Sequence, residues 1–211
     1  QSHLATAILM STATEGLGGC YLDVLKDRLY TTKTDGLARR SAQTALWHIT
    51  ATLLRLMAPI LTFTAEEAFA VFSPNESGTI FTERNHEVPA VENAEKLLQK
   101  WTAVRAVRSV VLKKIEELRS EGKVGSSLAA DYQYLASLGD ELKFVMMTSK
   151  ASLVEGPDSD TPLTVTVEAA PRKKCIRCWH YTDGTEEDAE HMGLCPRCRE
   201  NLFGAGEKRL F

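Results

Sequence analysis

The chain has 211 residues, of which 44% are apolar and 25% charged, a composition typical of a globular protein with one substantial core or two smaller ones. No apolar run approaches the roughly 18 to 20 residues that span a bilayer. The first residues also lack the layout of a secretory signal, so we expect a cytoplasmic protein with no membrane partner. The net charge of −3 is not that of a dedicated nucleic-acid binder, so any such contact must be local.

The first residues resemble the interior of a longer protein. Gln1 is not an initiator residue, and the apolar pattern of residues 4–10 begins without the signals of a helix start. We therefore expect a larger part of the protein to precede this chain.

The N-terminal part, residues 1–91, is predicted to be helical. Apolar residues from Tyr21 to Leu29 indicate a helix that ends near Tyr30, before the turn formed by residues 34–36. The next helix carries one apolar stripe at intervals of three and four, and Pro59 should end or kink it. The stripe consists of Leu46, Ile49, Leu53, Leu56 and Ile60.

A short helix over residues 65–72 is predicted to follow. Thr64 and Glu67 have the spacing of a capping box, in which a hydroxyl and a carboxylate each satisfy a free amide at a helix start. Residues 73–75 (Ser-Pro-Asn) should close this helix. The loop-like composition of residues 73–91 marks a subdomain boundary.

A long basic helix is predicted next. Its apolar residues share one side, and Gly122 and Gly125 supply its end. These apolar residues are Trp101, Val104, Val111, Ile115 and Leu118. Residues 96–123 contain eight Lys or Arg against three Glu, a net charge of +5. This excess is typical either of a solvated face or of a phosphate-binding surface, in which Arg105 and Arg108 would take part.

Residues 126–170 are predicted to form a small mixed α/β junction. Residues 144–147 and 163–167 are short apolar runs, and the second alternates as half-buried strands do. Residues 155–162 contain Gly156, Pro157 and Pro162, which favours a hairpin loop or a linker between two strands.

Four of the five cysteines lie in the last fifth of the chain, as Cys175-Ile-Arg-Cys178 and Cys195-Pro-Arg-Cys198. Two residues between paired cysteines let both sulfurs of a knuckle face one ion, and two knuckles complete a tetrahedron around zinc. Four protein ligands leave no position for a substrate, so we predict one structural zinc ion. Alternatives are a site in which His180 or His191 replaces one thiolate, disulfides, or an iron–sulfur cluster.

Arginine and tryptophan residues flank the cysteines. Arg177 and Trp179 lie on either side of Cys178, and Arg197 and Arg199 on either side of Cys198. Guanidinium groups bind phosphates, and an aromatic ring provides a face on which an unstacked base can lie, so this pattern is typical of contacts with single-stranded RNA loops. The alternative is that Trp179 only covers the core of the module.

Several segments together resemble a known family. The helical part is similar to the anticodon-binding helices of class I synthetases for branched aliphatic amino acids. The later segments are similar to bacterial isoleucyl-tRNA synthetases, including their terminal zinc finger. The segments are Tyr21-Leu-Asp-Val-Leu-Lys-Asp-Arg-Leu-Tyr30, Ala38-Arg-Arg-Ser-Ala-Gln-Thr-Ala-Leu46, Met57-Ala-Pro-Ile-Leu-Thr-Phe-Thr-Ala-Glu-Glu67, Gly122-Lys-Val-Gly-Ser-Ser-Leu128, Lys174-Cys-Ile-Arg-Cys-Trp-His180, Cys195-Pro-Arg-Cys198 and Gly206-Glu-Lys-Arg-Leu-Phe211.

The resemblance implies a mainly α fold with three parts. These are a helical-bundle anticodon-binding domain (1–91), a long helix with the small α/β junction (92–170), and a four-cysteine zinc ribbon or finger (171–211). It also implies that the partners are tRNA for isoleucine and an N-terminal catalytic domain of the same, monomeric chain. The expected RNA-binding residues are Arg105, Arg108, Arg177, Trp179, Lys208 and Arg209.

The resemblance implies no catalytic residue in this chain. The family binds ATP through a His-Ile-Gly-His type motif and a Lys-Met-Ser-Lys-Ser type loop, and neither occurs here, because His48-Ile49 continues with Thr50 and Ala51. ATP and magnesium would belong to the catalytic domain. Two alternatives stay open: the zinc-finger part of a DNA-repair glycosylase, against which the match at residues 21–30 argues, and a free-standing zinc-ribbon interaction protein.

Overall fold

A computed structural model of the chain describes residues 2–74, 78–119, 127–128, 132–155 and 163–210. The predicted helix stop at Gly122 and Gly125 and most of the predicted loop at 155–162 lie outside these residues. No helix in the described ranges is both long and apolar enough to cross a membrane.

The fold is mainly α, as the sequence predicts. The α-helices in chain order are α1 (Ser2–Ser11), α2 (Asp23–Thr31), α3 (Leu37–Met57), α4 (Thr62–Phe72), α5 (Ala94–Arg119), α6 (Tyr132–Ala136), α7 (Leu142–Val145) and α8 (Pro196–Phe203). A π-helical segment, Thr12–Leu22, joins α1 to α2, and 3-10 turns occupy Ile80–Thr82 and Gly139–Glu141.

Two short antiparallel pairs of strands lie within the described residues. Strand β1 (Ser127–Leu128) pairs with β2 (Leu163–Thr164), and β3 (Lys173–Lys174) pairs with β4 (Tyr181–Thr182). The predicted strand at 144–147 is wrong, because α7 and a turn occupy these residues. Phe144, Val145 and Met146 are all buried, and a short apolar run that is buried on all sides has no period that separates strand from helix.

The described chain divides into two compact units. Unit 1 comprises Gln1–Ala38 and Asn93–Phe211, and unit 2 comprises Arg39–Glu92. This division differs from the three domains predicted above, since it places the first 38 residues with the C-terminal part; the three-domain division stays a prediction.

In unit 1, one apolar core lies between α5 and the small elements that follow it. Val104, Val107 and Val111 of α5 pack against Leu135, Leu138, Leu142, Val145 and Met146. Their spacing of three and four places the valines on one side of α5, as the sequence predicts. Trp101 belongs to the same predicted stripe, yet it remains 37% exposed at the start of the helix.

In unit 2, α3 and α4 enclose a core of Leu54, Ala58, Ala65, Phe69 and Ile80. The predicted stripe of α3 is wrong at its C-terminal end, because Leu56 and Ile60 are exposed while Ala51, Leu54 and Ala58 are buried. These positions have the same helical spacing, shifted along the helix. Small alanines let the neighbouring helix approach closely, and a scan for large apolar residues overlooks them.

The predicted capping box at Thr64 and Glu67 is also wrong. Helix α4 starts at Thr62 with Leu61 as its N-cap, so Thr64 lies inside the first turn. The Ala65 amide already donates to the Leu61 carbonyl at 2.8 Å, so the regular helical hydrogen bonds begin there. The free amides of a helix start lie before Ala65, and a cap at Thr64 would act on amides after it. Glu66 is the acidic residue with a structural contact here, and it accepts a 2.9 Å hydrogen bond from the Ile80 amide.

Candidate metal centre and nucleic-acid interface

The four cysteines predicted from the knuckle spacing come together in residues 171–210, here called the four-cysteine module. The sulfurs of Cys175, Cys178, Cys195 and Cys198 all lie within 4.8 Å of one another. A tetrahedral zinc ion with Zn–S bonds of about 2.3 Å requires sulfurs about 3.8 Å apart, and Cys178 Sγ lies 3.7 Å from Cys195 Sγ. That distance is far beyond a disulfide bond, and all four cysteines are free.

Backbone hydrogen bonds shape both knuckles. In the first, the Trp179 amide donates to the Cys175 carbonyl and the Cys175 amide donates to the His180 carbonyl. In the second, Pro196 starts α8 directly after Cys195, which places Cys198 in the first helical turn. The Cys195 amide lies 3.4 Å from Cys175 Sγ and can stabilise a thiolate there. The chain thus orients four sulfur donors toward one point.

Hydrogen bonds among the cysteines change the pKa values of their thiols. Hydrogen bonds from Cys195 and Cys198 lower the pKa of Cys178. The hydrogen bond with Cys178 raises the pKa of Cys195 to about 11, and hydrogen bonds with Cys178 and Cys195 raise that of Cys198. One thiolate in the cluster thus disfavours a second. A divalent cation at the centre would offset this repulsion and hold all four groups as thiolates.

The two histidines of the module have different partners: His180 hydrogen-bonds to Cys178 and helps to lower its pKa, whereas His191 contacts Asp188. The His180 ring lies 5.4 Å from the Phe144 ring, measured between centroids. His191 Nδ1 lies 3.1 Å from an Asp188 carboxylate oxygen, and its ring packs against Phe203. Within the described residues, the group with metal-ligand geometry contains cysteines alone.

Trp179 presents an exposed aromatic surface beside the metal site. Its side chain is 69% exposed, and its backbone has a φ of +65°. The Lys174 ammonium lies over the indole, 5.2 Å from the ring centroid. An exposed indole with a cation next to it suits a base and its phosphate. Lys174 directly precedes Cys175 but is absent from the RNA-binding residues predicted above.

The two arginines expected on the long basic helix lie in different environments. Arg105 is exposed. Arg108 is 5% exposed: its Nε donates to the Val145 carbonyl at 2.9 Å and its Nη1 to the Gly19 carbonyl at 2.8 Å. Arg108 therefore ties α5 to two other segments of unit 1. Its assignment to RNA stays a prediction, which this burial does not favour.

The other predicted RNA-binding cations also differ in exposure. Lys208 is exposed. Arg177 donates to the carbonyls of Tyr30 and Thr31 at the end of α2. The Arg209 side chain is 4% exposed and forms ion pairs with Asp27, Glu141 and Glu207. Arg177 and Arg209 thus have internal partners that compete with phosphate, and their assignment to RNA also stays a prediction.

Comparison with protein families identifies the class to which this arrangement belongs. The model of the anticodon-binding domain of tRNA ligases matches residues 1–134, and that of a zinc finger found in FPG and IleRS matches residues 172–201. Because the first match covers more than half of the chain, the chain belongs to the anticodon-binding domain family of tRNA ligases. That match does not favour the DNA-repair glycosylase alternative.

Individual proteins with similar sequences carry a more specific name than the family does. The chain is similar to the isoleucine–tRNA ligase of Azoarcus sp., with 50% identity over 216 residues. It is 55% identical to the enzyme of that name from Paraburkholderia phytofirmans and 49% identical to that from Ralstonia pickettii. Each alignment covers 98% of this chain and 23% of the relative. The chain thus spans about a quarter of the length of the curated relatives it matches.

Proposed function

We propose that this chain is the anticodon-arm-binding part of an isoleucine–tRNA ligase. The observation that carries the proposal is the order of its two family matches, an anticodon-binding domain over residues 1–134 followed by a zinc finger over 172–201. Isoleucine is proposed as the amino acid because the relatives that align over 98% of the chain are named isoleucine–tRNA ligase.

One structural zinc ion is proposed for the four-cysteine module, with Cys175, Cys178, Cys195 and Cys198 as its ligands. The support is the group that the four sulfurs form, within 4.8 Å of one another. Bound zinc would supply folding free energy, because few apolar side chains are buried in this module. Its closed ligand set leaves no position for a substrate.

The proposed RNA-binding surface consists of the exposed groups predicted from the sequence, namely Trp179, Arg105 and Lys208, with Lys174 added because it lies over the Trp179 ring. Phosphate contacts set the position of an RNA but carry little sequence information, whereas stacking and edge contacts with splayed bases provide selectivity. We therefore assign phosphate contacts to Arg105 and Lys208, and base stacking to Trp179.

The parent enzyme is proposed to be a class I aminoacyl-tRNA synthetase, monomeric and cytoplasmic. It would join isoleucine to its tRNA with ATP and magnesium bound in a catalytic domain outside this chain. No catalytic residue is assigned here, because both ATP-binding motifs of the family are missing from the sequence. The isolated chain should therefore show no isoleucine-dependent pyrophosphate exchange.

Binding to transcribed tRNA tests the proposal. The chain should bind tRNA for isoleucine more tightly than the same tRNA carrying a substituted anticodon, because the anticodon is the part that it reads. A tRNA with an altered acceptor stem is the matched control and should bind as the unaltered one does. Equal affinity for the anticodon-substituted and unaltered tRNA would refute anticodon recognition, and zinc content near zero in the folded chain would refute the metal site.

A further inference from the structure

One carboxylate on α2 receives two arginines from the C-terminal part of the chain. Arg197 binds Asp27 through two parallel hydrogen bonds of 2.7 and 2.9 Å, and Arg209 contacts the same carboxylate. The side chains are 14% exposed for Asp27, 16% for Arg197 and 4% for Arg209. Bidentate pairs of this kind, away from water, are geometrically specific.

The C-terminal end of α2 is also held by the four-cysteine module. Arg177 donates to the carbonyls of Tyr30 and Thr31, which belong to the last turn of the helix. The last carbonyls of a helix have no partner within it and need an external donor. Just beyond the helix, Lys33 Nζ donates to the Gly204 carbonyl at 3.1 Å.

Two of the arginines that contact α2 lie between the cysteines of the two knuckles. Arg177 lies between Cys175 and Cys178, and Arg197 lies between Cys195 and Cys198, so each knuckle holds one arginine that reaches α2. The position of each guanidinium therefore depends on the geometry of its pair of sulfurs. Arg197 also contacts a Glu207 carboxylate oxygen at 3.1 Å. Through its bidentate pair, Arg197 joins the second knuckle to Asp27.

We propose that Asp27 is a positioning residue that couples zinc binding in the four-cysteine module to the order of the end of α2. Zinc fixes the knuckles, the knuckles fix Arg177 and Arg197, and these arginines hold α2. Because coupling between two equilibria is reciprocal, zinc binding strengthens the docking on α2 by the same factor by which that docking strengthens zinc binding. The loss of Asp27 weakens the docking and should therefore weaken zinc retention. The inference rests on the zinc site proposed above and is independent of tRNA binding.

Zinc release from the whole chain into a chromophoric chelator tests the coupling in one direction. Groups that hydrogen-bond directly to metal ligands commonly change metal affinity by about 10- to 100-fold. Asp27 acts one contact further out, through Arg197, so Asp27→Asn should accelerate release by up to about tenfold. Asp23→Asn is the matched control, since it makes the same change on the same helix, where Asp23 pairs with Lys26 and Arg108. It should release zinc at the rate of the unaltered chain. Equal rates for Asp27→Asn and the unaltered chain, or equal acceleration by both variants, would overturn the proposal.

A double-mutant cycle separates a specific coupling from general destabilisation. Arg197→Gln alone should also accelerate zinc release, and adding Asp27→Asn to it should have a smaller effect than Asp27→Asn has in the unaltered chain, because the shared contact is already lost. Arg197→Lys keeps the charge but not the paired hydrogen bonds and should give an intermediate rate. Fully additive effects of Asp27→Asn and Arg197→Gln would contradict the proposal.

Amide hydrogen exchange tests the reverse direction without any substitution. Removing zinc from the unaltered chain should accelerate exchange at residues 26–31, while exchange in α4 of unit 2 stays the same. Unchanged exchange at 26–31 after complete zinc removal would overturn the proposal even if Asp27→Asn failed to fold. Zinc that cannot be found in the unaltered chain would instead refute the zinc site itself, so the two failures are distinguishable.

Discussion

The four-cysteine module and unit 2 are stabilised in opposite ways. Unit 2 buries Leu54, Ala58, Ala65, Phe69 and Ile80 in an apolar core. The buried cluster of the four-cysteine module consists of cysteines, with Leu194 as the aliphatic residue packed against it. A core of aliphatic and aromatic side chains is stable because it leaves water, whereas converging thiols gain their stability from a metal ion. Both regions bury side chains, but the stability of the four-cysteine module should depend on zinc, whereas that of unit 2 should not.

Removing one cysteine ligand of the proposed zinc ion should separate the two regions most clearly. Cys198→Ser should abolish zinc binding and unfold the four-cysteine module, since structural zinc supplies about 10 to 16 kcal/mol in small zinc-binding peptides. Unit 2 should stay folded. Elemental analysis together with hydrogen exchange resolved along the chain measures both results.

Cys20→Ser is the control for that substitution, because Cys20 lies in the π-helical segment and outside the sulfur cluster. Loss of protection in unit 2 after Cys198→Ser would show that the two regions do not differ in their dependence on metal.

A substitution in the apolar core of unit 2 should have the opposite pattern of effects. Phe69 is 2% exposed, and replacing it with alanine should cost about 3 to 5 kcal/mol of unfolding free energy by removing buried surface and leaving a cavity. Zinc content should not change. Phe63→Ala, on the same helix but 90% exposed, should change the unfolding free energy by less than about 0.5 kcal/mol. Thermal unfolding monitored by helical circular dichroism compares them, and similar losses of stability would contradict the assigned core.

A smaller effect is expected at the RNA-binding surface of the four-cysteine module. Trp179→Ala should retain zinc and lower the affinity for cognate tRNA by about 1 to 3 kcal/mol if one base stacks on the ring. Alanine retains the Cβ at the positive-φ position, so the substitution removes the ring without relaxing the backbone. Titration of cognate and anticodon-substituted tRNA measures the loss. A variant with full zinc and undiminished selectivity would place the selective contact elsewhere, on the helices before residue 73.

The smallest effect is expected at an exposed cation of α5. Arg105→Ala should weaken binding of all tRNAs alike and reduce the slope of log affinity against log salt by about 0.7 to 0.9, the contribution of one phosphate contact. Arg108→Ala is the informative comparison, because Arg108 bonds to two carbonyls inside unit 1. It should lower the unfolding free energy instead. An unchanged salt slope in Arg105→Ala would remove this residue from the interface.

Sequence patterns predicted those parts of the molecule that are formed by residues close together in the chain. The sequence of α2 and the valine spacing of α5 predicted helices because one side of each repeats at the helical period. The two Cys-x-x-Cys pairs predicted the sulfur cluster because a knuckle is built from neighbouring residues. The partners of the arginines could not be predicted in this way. Asp27 and Arg197 are separated by 170 positions, and no period links them.

The sequence by itself determined a mainly helical chain, a four-cysteine metal site and the resemblance to a tRNA ligase family. The tertiary structure decided which cations are available to a partner. Arg105 and Arg108 look equivalent in a basic helix, yet one is exposed and the other bonds to carbonyls of distant segments. Charge is a property of the residue, whereas its availability depends on the carboxylates and carbonyls that the rest of the fold brings beside it.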